Sequence, residues 1–351
     1  MPGKMDSFKA LSAHDKRHAV VNWLLDHAMI IIILLLAVYV QIQRPQFFGV
    51  PSLVNIISLT AARLPMALGV AGCIILAGTD ISAGRQVGLA ACISAGLQLT
   101  TNKLFPGLQI MPIPVVLLCV LVACALVGFV NGFFMAKFKL HPFIVTLSTQ
   151  LIVYGLVLLF MQLGTNGGQT LSGMSEGYRN FIIKPLLTLK TSSGPVTVPR
   201  YVLYSTIITA IVWVIWNKTA FGKNMYAVGS NEEAANVSGV NVSKTIILVF
   251  VMAGMLYGIT GFMDAARIAS VNATTGLNYE ADAIAACVIG GISFVGGIGK
   301  VSGAIIGVLL LQIIFAGLNF LSVDANYLYI VKGLIILIAC SIDMRKYLVR
   351  K

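Results

Sequence analysis

The chain has 351 residues, of which 58% are hydrophobic and 10% are charged, and its mean hydropathy is +0.92. A soluble domain carries about 25% charged residues, so this composition excludes a soluble enzyme, a disordered chain and a nucleic-acid-binding module. The net charge of +12 does not change that conclusion, because the basic residues are spread between long apolar runs instead of forming one patch. The sequence therefore predicts an all-α polytopic membrane protein.

Ten apolar runs approach the length of about 20 residues that a helix needs to cross a hydrocarbon core about 30 Å thick. The side that holds both termini carries 15 basic residues between these runs and the opposite side carries seven, which predicts that both ends are cytoplasmic. In chain order, the predicted spans lie near residues 24–42, 53–78, 84–100, 112–136, 143–163, 201–216, 245–263, 281–297, 301–320 and 326–343.

These spans divide the chain into a cytoplasmic tail at 1–22, one membrane domain at 23–343 and a basic cytoplasmic C-terminus at 344–351. The first span follows a polar, basic tail without a small-residue cleavage site, so it is predicted to remain as an anchor. The longest predicted external loop is 164–200, and the longest predicted cytoplasmic loop is 217–244.

The chain contains no catalytic, nucleotide-binding or metal-binding motif. A phosphate-binding loop of the form GxxxxGK[ST] ending at Lys300 would need glycine at the position of Phe294. The six cysteines form no CxxC pair and the four histidines do not cluster, so neither a disulfide framework nor a metal site is predicted. We predict that the chain is not an enzyme and that it holds no cofactor, so that if the protein uses ATP, another chain must bind it.

Glycine is abundant, with 34 residues, and several form small-xxx-small pairs within predicted spans. This spacing lets helix backbones approach closely in lipid, and it is seen in the pairs Gly128 with Gly132, Gly254 with Gly258, and Gly303 with Gly307. A denser glycine cluster at 290–299 predicts a helix break of the kind that lines a cavity. The candidate pathway or gate residues are Gly290, Gly291, Gly296 and Gly297, together with the neutral Asn131 and Tyr154.

Five of the charged residues that lie within the predicted spans or at their edges are candidates for a functional role. A charge at the bilayer centre costs at least about 2.5–3.5 kcal/mol on insertion scales, so such residues are expected to face a cavity or a partner. Pairing within the bundle, for example between Asp80 and Arg85, is the alternative that needs no substrate. The five residues are Arg63, Asp80, Arg85, Asp282 and Lys332.

The segment AVGSNEEAANVSGVNVSK, within the 217–244 loop, predicts a short capped helix. Ser230 or Asn231 is suited to the N-cap, and Glu232 and Glu233 would lie at the positive end of the helix dipole. Gly239 follows at the position where a helix commonly ends. Such a helix either covers the loop or is a contact for a soluble motor protein.

Three segments resemble the permease subunits of ABC importers for monosaccharides, in the ribose, galactose and xylose branch. They are WNKTAFGKNMYAVGSNEEAANVSGVNV in the 217–244 loop, LAGTDISAGRQVGLAA after the second span, and YEADAIAACVIGGISFVGGIGKVSGAIIG across the eighth and ninth spans. The similarity covers essentially the whole chain beyond the first 22 residues. It is strongest to the galactose/methyl-galactoside members, although Ala281 stands where that pattern has leucine.

The resemblance implies two copies of the subunit around a monosaccharide path in the bacterial inner membrane, in contact with lipid. It also implies a periplasmic sugar-binding protein, a cytoplasmic ATPase with tandem nucleotide-binding halves, and about ten helices in the arrangement of the vitamin B12 (type II) importers. The ATPase-coupling residues that it implies are Asn231, Glu232, Glu233, Ala234, Ala235 and Gly239.

Other functions stay open on the residues alone. A permease for ribose or xylose fits the same motifs. A proton- or sodium-coupled secondary transporter would need carboxylates in mid-span, whereas the acidic residues lie mostly at span edges. A membrane scaffold protein leaves the predicted helix in the 217–244 loop unexplained, and a membrane enzyme lacks a catalytic set.

Overall fold

The computed structural model describes residues 28–341 apart from 165, 192–193, 325, 332, 335–336 and 339–340. The helices are α1 (Ala28–Gln43), α2 (Val50–Ile75), α3 (Ala83–Gln98), α4 (Ile113–Phe138), α5 (Pro142–Met161), α6 (Glu176–Ile183), α7 (Arg200–Lys218), α8 (Ala220–Ser230), α9 (Glu232–Val237), α10 (Val242–Ile268), α11 (Tyr279–Ile289) and α12 (Val301–Phe320). The strands are β1 (Leu171–Ser172), β2 (Pro185–Thr191), β3 (Gly194–Pro199) and β4 (Ser270–Val271).

Six helices in the described part of the chain are long and apolar enough to cross a membrane, namely α2, α4, α5, α7, α10 and α12. The predicted first span corresponds to a shorter apolar helix, Ile30–Gln43, and the predicted third span corresponds to the 16 residues of α3. Residues 326–331 are helical at the start of the predicted tenth span, and part of its remainder lies outside the described residues.

The prediction of a continuous eighth span over 281–297 is wrong. The helix in this region, α11, ends at Ile289 after 11 residues, which corresponds to about 16 Å or roughly half of a hydrocarbon core. Beyond it, Gly291, Gly296 and Gly297 have φ values of 78°, 88° and 67°. These are left-handed conformations that glycine adopts without a steric penalty, so the glycine cluster breaks the helix as its composition predicted.

The chain folds into two compact units. The first contains residues 1–47 and 313–351. Within its described part, Val40 of α1 packs against Gly317, and the rings of Phe47 and Phe320 meet edge to face at 5.4 Å. The second unit contains residues 48–312 and holds most of the helices and all four strands.

Helix α10 is the centre of the second unit, where it packs against α2, α3 and α4. Helices α4 and α10 approach closely because glycine, which has no side chain, lies at their contact. A Cβ at Gly128 would overlap the backbone of Phe250, and a Cβ at Gly254 would overlap the backbone of Cys124. The close helix packing predicted from the glycine pairs is therefore confirmed for these two helices.

Replacing Gly128 by leucine is expected to destabilise the chain by about 1–3 kcal/mol, because the side chain would force α4 away from α10. Gly155 is a matched control, since it lies in the spanning helix α5 with no atom within 4 Å of where its Cβ would be. Thermal unfolding of both variants in detergent checks the prediction. Equal midpoints for Gly128→Leu and Gly155→Leu would contradict it.

The predicted external loop at 164–200 has its own structure in its described part. β1 pairs antiparallel with β4, with Leu171 opposite Val271, and β2 pairs with β3 as a hairpin. Between them, the Ser175 hydroxyl caps α6 by accepting the N–H of Tyr178, and the buried Tyr178 hydroxyl donates to the carbonyl of Phe262 in α10. These contacts hold the loop against the end of α10.

Candidate functional site

Two short helices connect α7 to α10. In α8, Thr219 Oγ1 accepts the backbone N–H of Gly222 at 3.2 Å. In α9, Asn231 Oδ1 accepts the backbone N–H of Ala234 at 2.8 Å. The capped helix predicted from the sequence is thus confirmed, and the N-cap is Asn231 rather than Ser230.

The end of α9 is also defined by local chemistry. Gly239 has a φ of 85°, which lets the chain reverse after the C-cap residue Ser238, as the sequence predicted. Asn241 then caps α10, because its Oδ1 accepts the backbone N–H of Lys244 at 2.9 Å. A hydrogen-bonded cap therefore defines the start of each of these two helices.

Helix α9 buries one small side chain and exposes the rest. Ala235 is buried with Val228 of α8 and Val242 of α10. Val237 is 90% exposed, the largest exposed fraction among the large apolar side chains in the described part of the chain. Glu232 and Glu233 are exposed as well. The exposed surface of α9 therefore carries the Glu232 and Glu233 carboxylates and one large apolar side chain, that of Val237.

A cleft of about 880 Å³ lies beside α9. The Lys139 ammonium at the end of α4 forms an ion pair with the Glu232 carboxylate on this cleft. Both side chains are largely exposed, so the pair orients α9 without adding much stability. The residues that line the cleft are Lys139, Asn231, Glu232, Glu233, Asn236, Gly239, Val240, Asn241, Val242 and Ser243.

The glycine loop, residues 290–299, lies directly against α8. The Gly297 N–H donates to the Ile75 carbonyl at 2.8 Å, and Gly229 of α8 packs so closely that a Cβ there would overlap the Ile75 backbone. The Tyr226 hydroxyl donates to the Gly299 carbonyl at 2.9 Å, and partial burial raises the pKa of this hydroxyl. The end of α2, α8 and the glycine loop therefore form one packed junction.

The other predicted gate glycines lie where α11 meets α12. A Cβ at Gly290 would overlap the backbone of Gly303, and a Cβ at Gly307 would overlap the backbone of Ala286. The close packing predicted for Gly303 and Gly307 is thus confirmed. Gly291, in contrast, has no atom within 4 Å of where its Cβ would be.

An ion-pair network lies between α2 and α10. Arg63 Nη1 is 3.1 Å from Asp264 Oδ2, and Arg267 Nη2 is 2.8 Å from Asp264 Oδ1. The Asp264 side chain is fully buried, and the Arg63 guanidinium lies 3.5 Å from the ring centre of Tyr279. Arg63 was a candidate from the sequence, but its ion pair with Asp264 was not predicted. The three-residue spacing of Asp264 and Arg267 on one helix face was the available signal.

Asp80 and Arg85 do not form an ion pair, so the pairing suggested for them is wrong. Asp80 Oδ1 accepts hydrogen bonds from the Ser82 backbone N–H at 3.0 Å and the Ser82 hydroxyl at 2.5 Å. Arg85 donates to the Ala273 carbonyl at 3.1 Å, and its guanidinium lies 4.2 Å from the ring centre of Tyr154. The turn before α3 thus satisfies one of the two Asp80 carboxylate oxygens, and Arg85 points toward α5 and the chain after β4.

Asn131, a predicted pathway residue, is fully buried beside Asp80. Its amide donates to the Ser82 hydroxyl at 3.0 Å, as the Gln86 amide does at 2.9 Å. Three acceptor atoms here have no hydrogen-bond partner in the described structure, namely Asp80 Oδ2, Gln86 Oε1 and Asn131 Oδ1. The pathway roles of Asn131, Tyr154 and the gate glycines stay predictions.

The last two charges singled out in the sequence are Asp282 and Lys332. Asp282 is in the first turn of α11 and borders a cavity of about 10 Å³ with Arg63, Tyr279 and Gln312. This volume is close to the space that one water occupies. Lys332 lies outside the described residues.

Comparison with known proteins identifies the family. The family described as "Branched-chain amino acid transport system / permease component" matches residues 52–340. The chain belongs to this permease family. The resemblance to importer permeases drawn from the three sequence segments is confirmed, and with it a multi-pass membrane protein that serves as a transport subunit.

Relatives in this family match the chain over nearly its whole length. The galactose/methyl galactoside import permease of Haemophilus influenzae is 41% identical over 344 residues, which cover 97% of this chain and 100% of that protein. The corresponding permease of Escherichia coli K12 is 40% identical over the same shares. The ribose import permease of Escherichia coli K12 is 32% identical over 94% of this chain and 97% of its own length. No solved structure matches the chain significantly.

Proposed function

We propose that the chain is the membrane-spanning permease subunit of a binding-protein-dependent ABC importer, and that it carries galactose or a methyl-galactoside. The observation that carries this proposal is the full-length identity of 40–41% to galactose/methyl galactoside import permeases, compared with 32% to a ribose import permease. The family description instead names branched-chain amino acids, so leucine is the competing substrate class.

We further propose ten membrane crossings, with both termini in the cytoplasm of a bacterium and the chain in its inner membrane. The six long helices supply six crossings. The remaining four are α1, α3, the 272–278 loop followed by α11, and the helix that begins at residue 326. The excess of basic residues on the side of the termini supports this orientation. The arrangement is that of the vitamin B12 type of importer.

In this orientation α9 faces the cytoplasm, and we propose that it is the docking helix for the ATPase. Its buried Ala235 supports this role, because it packs α9 against Val228 of α8 and Val242 of α10. Movement of α9 would reach the glycine loop through α8, where Gly229 packs on Ile75 and Gly297. ATP and Mg²⁺ bind to the ATPase rather than to this chain.

The proposed partners are a second copy of the chain, an ATPase with tandem nucleotide-binding halves and a periplasmic sugar-binding protein. Gentle purification from the native membrane, followed by mass spectrometry, tests this assembly. A tandem ATPase is expected among the co-purifying proteins. A chain that emerges alone and moves sugar in liposomes without ATP would instead support an ion-coupled secondary transporter.

Competition for uptake tests the substrate. Cells that express the chain with its ATPase and binding protein are expected to take up labelled galactose, and excess methyl-galactoside is expected to reduce that uptake at least tenfold. Excess leucine is the matched competitor from the other substrate class, and it is expected to have no effect. Uptake of labelled leucine in place of galactose would overturn the sugar proposal.

A further inference from the structure

Helix α11 begins inside the membrane domain. Arg63 lies 12 residues from the end of α2 at Ile75, a distance of about 18 Å along the helix, and its guanidinium covers the ring of Tyr279, the first residue of α11. The other end of α11 leads into the glycine loop, whose Gly297 N–H donates to the Ile75 carbonyl. Helix α11 therefore extends from the depth of Arg63 to the depth of Ile75.

The loop at 272–278, which precedes α11, folds back to the same depth. Gly276 packs so closely on Gly84 of α3 that a Cβ on either residue would overlap the other's backbone. Two residues further along α3, Gln86 Oε1 lies beside Gly254, which is 12 residues and about 18 Å into α10. The loop thus returns from the end of α10 toward its middle, so non-helical backbone lies at membrane depth.

The surface around the start of α11 is charged and partly exposed. Four residues here are partly exposed, namely Arg63, Tyr279, Glu280 and Asp282. Thr274 of the 272–278 loop is exposed. The outer faces of α4 and α5 are different, since their most exposed side chains are leucines such as Leu118, Leu126, Leu151 and Leu159, each exposed by 60% or more. Lipid solvates the leucine faces well, but it does not solvate arginine and carboxylate groups at this depth.

We propose that this surface, formed by the 272–278 loop, by Arg63 and by residues 279–282 in the first turn of α11, is the wall of the water-filled path through which the sugar passes. We name it the path wall. The assignment rests on the proposed transport function. The guanidinium, carboxylate and phenol groups of the path wall supply the donors and acceptors that a neutral sugar needs when it leaves bulk water. Non-helical backbone at membrane depth occurs where it lines such a cavity.

Single cysteine substitutions test the path wall in the assembled transporter. Thr274→Cys places a small thiol at an exposed position of the 272–278 loop. Ala281→Cys places one at a partly exposed position in the first turn of α11. Leu126→Cys and Leu151→Cys are matched controls on the leucine faces, where the native side chains are 60% and 65% exposed. The unchanged chain measures the background from its native cysteines.

A membrane-impermeant cationic methanethiosulfonate reagent is expected to label both path-wall cysteines at least tenfold faster than the two controls, as read by mass spectrometry. Labelling is also expected to block galactose uptake by the path-wall variants and to leave the controls active. Labelling of Thr274→Cys and Ala281→Cys at the rate of the controls would overturn the assignment, because a surface covered by lipid or by a second copy would not react.

This experiment distinguishes a failure of the path-wall proposal from a failure of the proposed galactose transport. Fast labelling of both path-wall cysteines, in a transporter that takes up no galactose before labelling, would support the water-filled wall and overturn the substrate. Galactose uptake with slow labelling would support the proposed function and overturn the path wall.

Discussion

Replacing Val237 by aspartate is expected to reduce ATP-driven sugar uptake at least tenfold while the amount of folded chain in the membrane stays unchanged. Val237 is 90% exposed, so the substitution removes almost no packing within the chain. In the proposed complex, however, the new carboxylate would have to lose its hydration against the ATPase. Such an unpaired charge costs several kcal/mol on burial.

Uptake and co-purification of the ATPase measure the effect of this substitution. Val237→Leu is the matched control, because it keeps an apolar side chain at the tip of α9 and is expected to retain uptake. Full uptake by Val237→Asp, with the ATPase still bound, would show that α9 is not the docking helix.

Replacing Asp264 by asparagine is expected to destabilise the chain by about 3–5 kcal/mol, the range for breaking a buried ion pair by removing one partner. Asp264 is fully buried and pairs with both Arg63 and Arg267. Without its charge, two guanidinium groups would lose their counter-ion within the bundle. The variant is expected to accumulate poorly in the membrane and to unfold at a lower temperature in detergent.

Asp324→Asn is the matched control for this substitution, because the same chemical change is made at an exposed carboxylate. Asp324 Oδ1 accepts the backbone N–H of Asn326, and an asparagine oxygen can accept that bond as well. Asp264→Asn and Asp324→Asn with the same unfolding midpoint would contradict a structural role for the buried network.

Features governed by local chemistry could be predicted from the sequence. The cap at Asn231, the acidic first turn of α9 and the reversal at Gly239 each depend on residues fewer than five positions apart. The glycine pairs also predicted close helix packing, although the sequence could not say that Gly128 would meet Phe250. The 217–244 loop also carried part of the family resemblance, which is confirmed over nearly the whole chain.

Features that depend on distant residues could not be predicted. Arg63 and Asp264 are 201 positions apart, and no periodic pattern in one helix indicates a partner in another. The apolar composition of 281–297 resembles a full span, because hydropathy does not record that Gly291, Gly296 and Gly297 take left-handed conformations. The error at Asp80 had a similar cause, since Arg85 reaches the carbonyl of Ala273 instead.

A continuous series of contacts connects the proposed docking helix to the proposed path wall. Helix α9 packs on α8 through Ala235 and Val228, and α8 packs on the glycine loop through Gly229. The glycine loop directly follows the C-terminal end of α11, whose first residue is Tyr279. A displacement of α9 by the ATPase would therefore be transmitted through α8 and the glycine loop to the C-terminal end of α11, and along α11 to Tyr279.

ATP-dependent galactose uptake into liposomes tests the central claim most directly. The chain is reconstituted with the ATPase that purifies with it, the sugar-binding protein is added on the substrate side, and labelled galactose is measured with and without ATP. We predict accumulation only when the ATPase, the binding protein and ATP are all present. Accumulation by the chain alone under a proton or sodium gradient, or accumulation of leucine instead of galactose, would contradict the account.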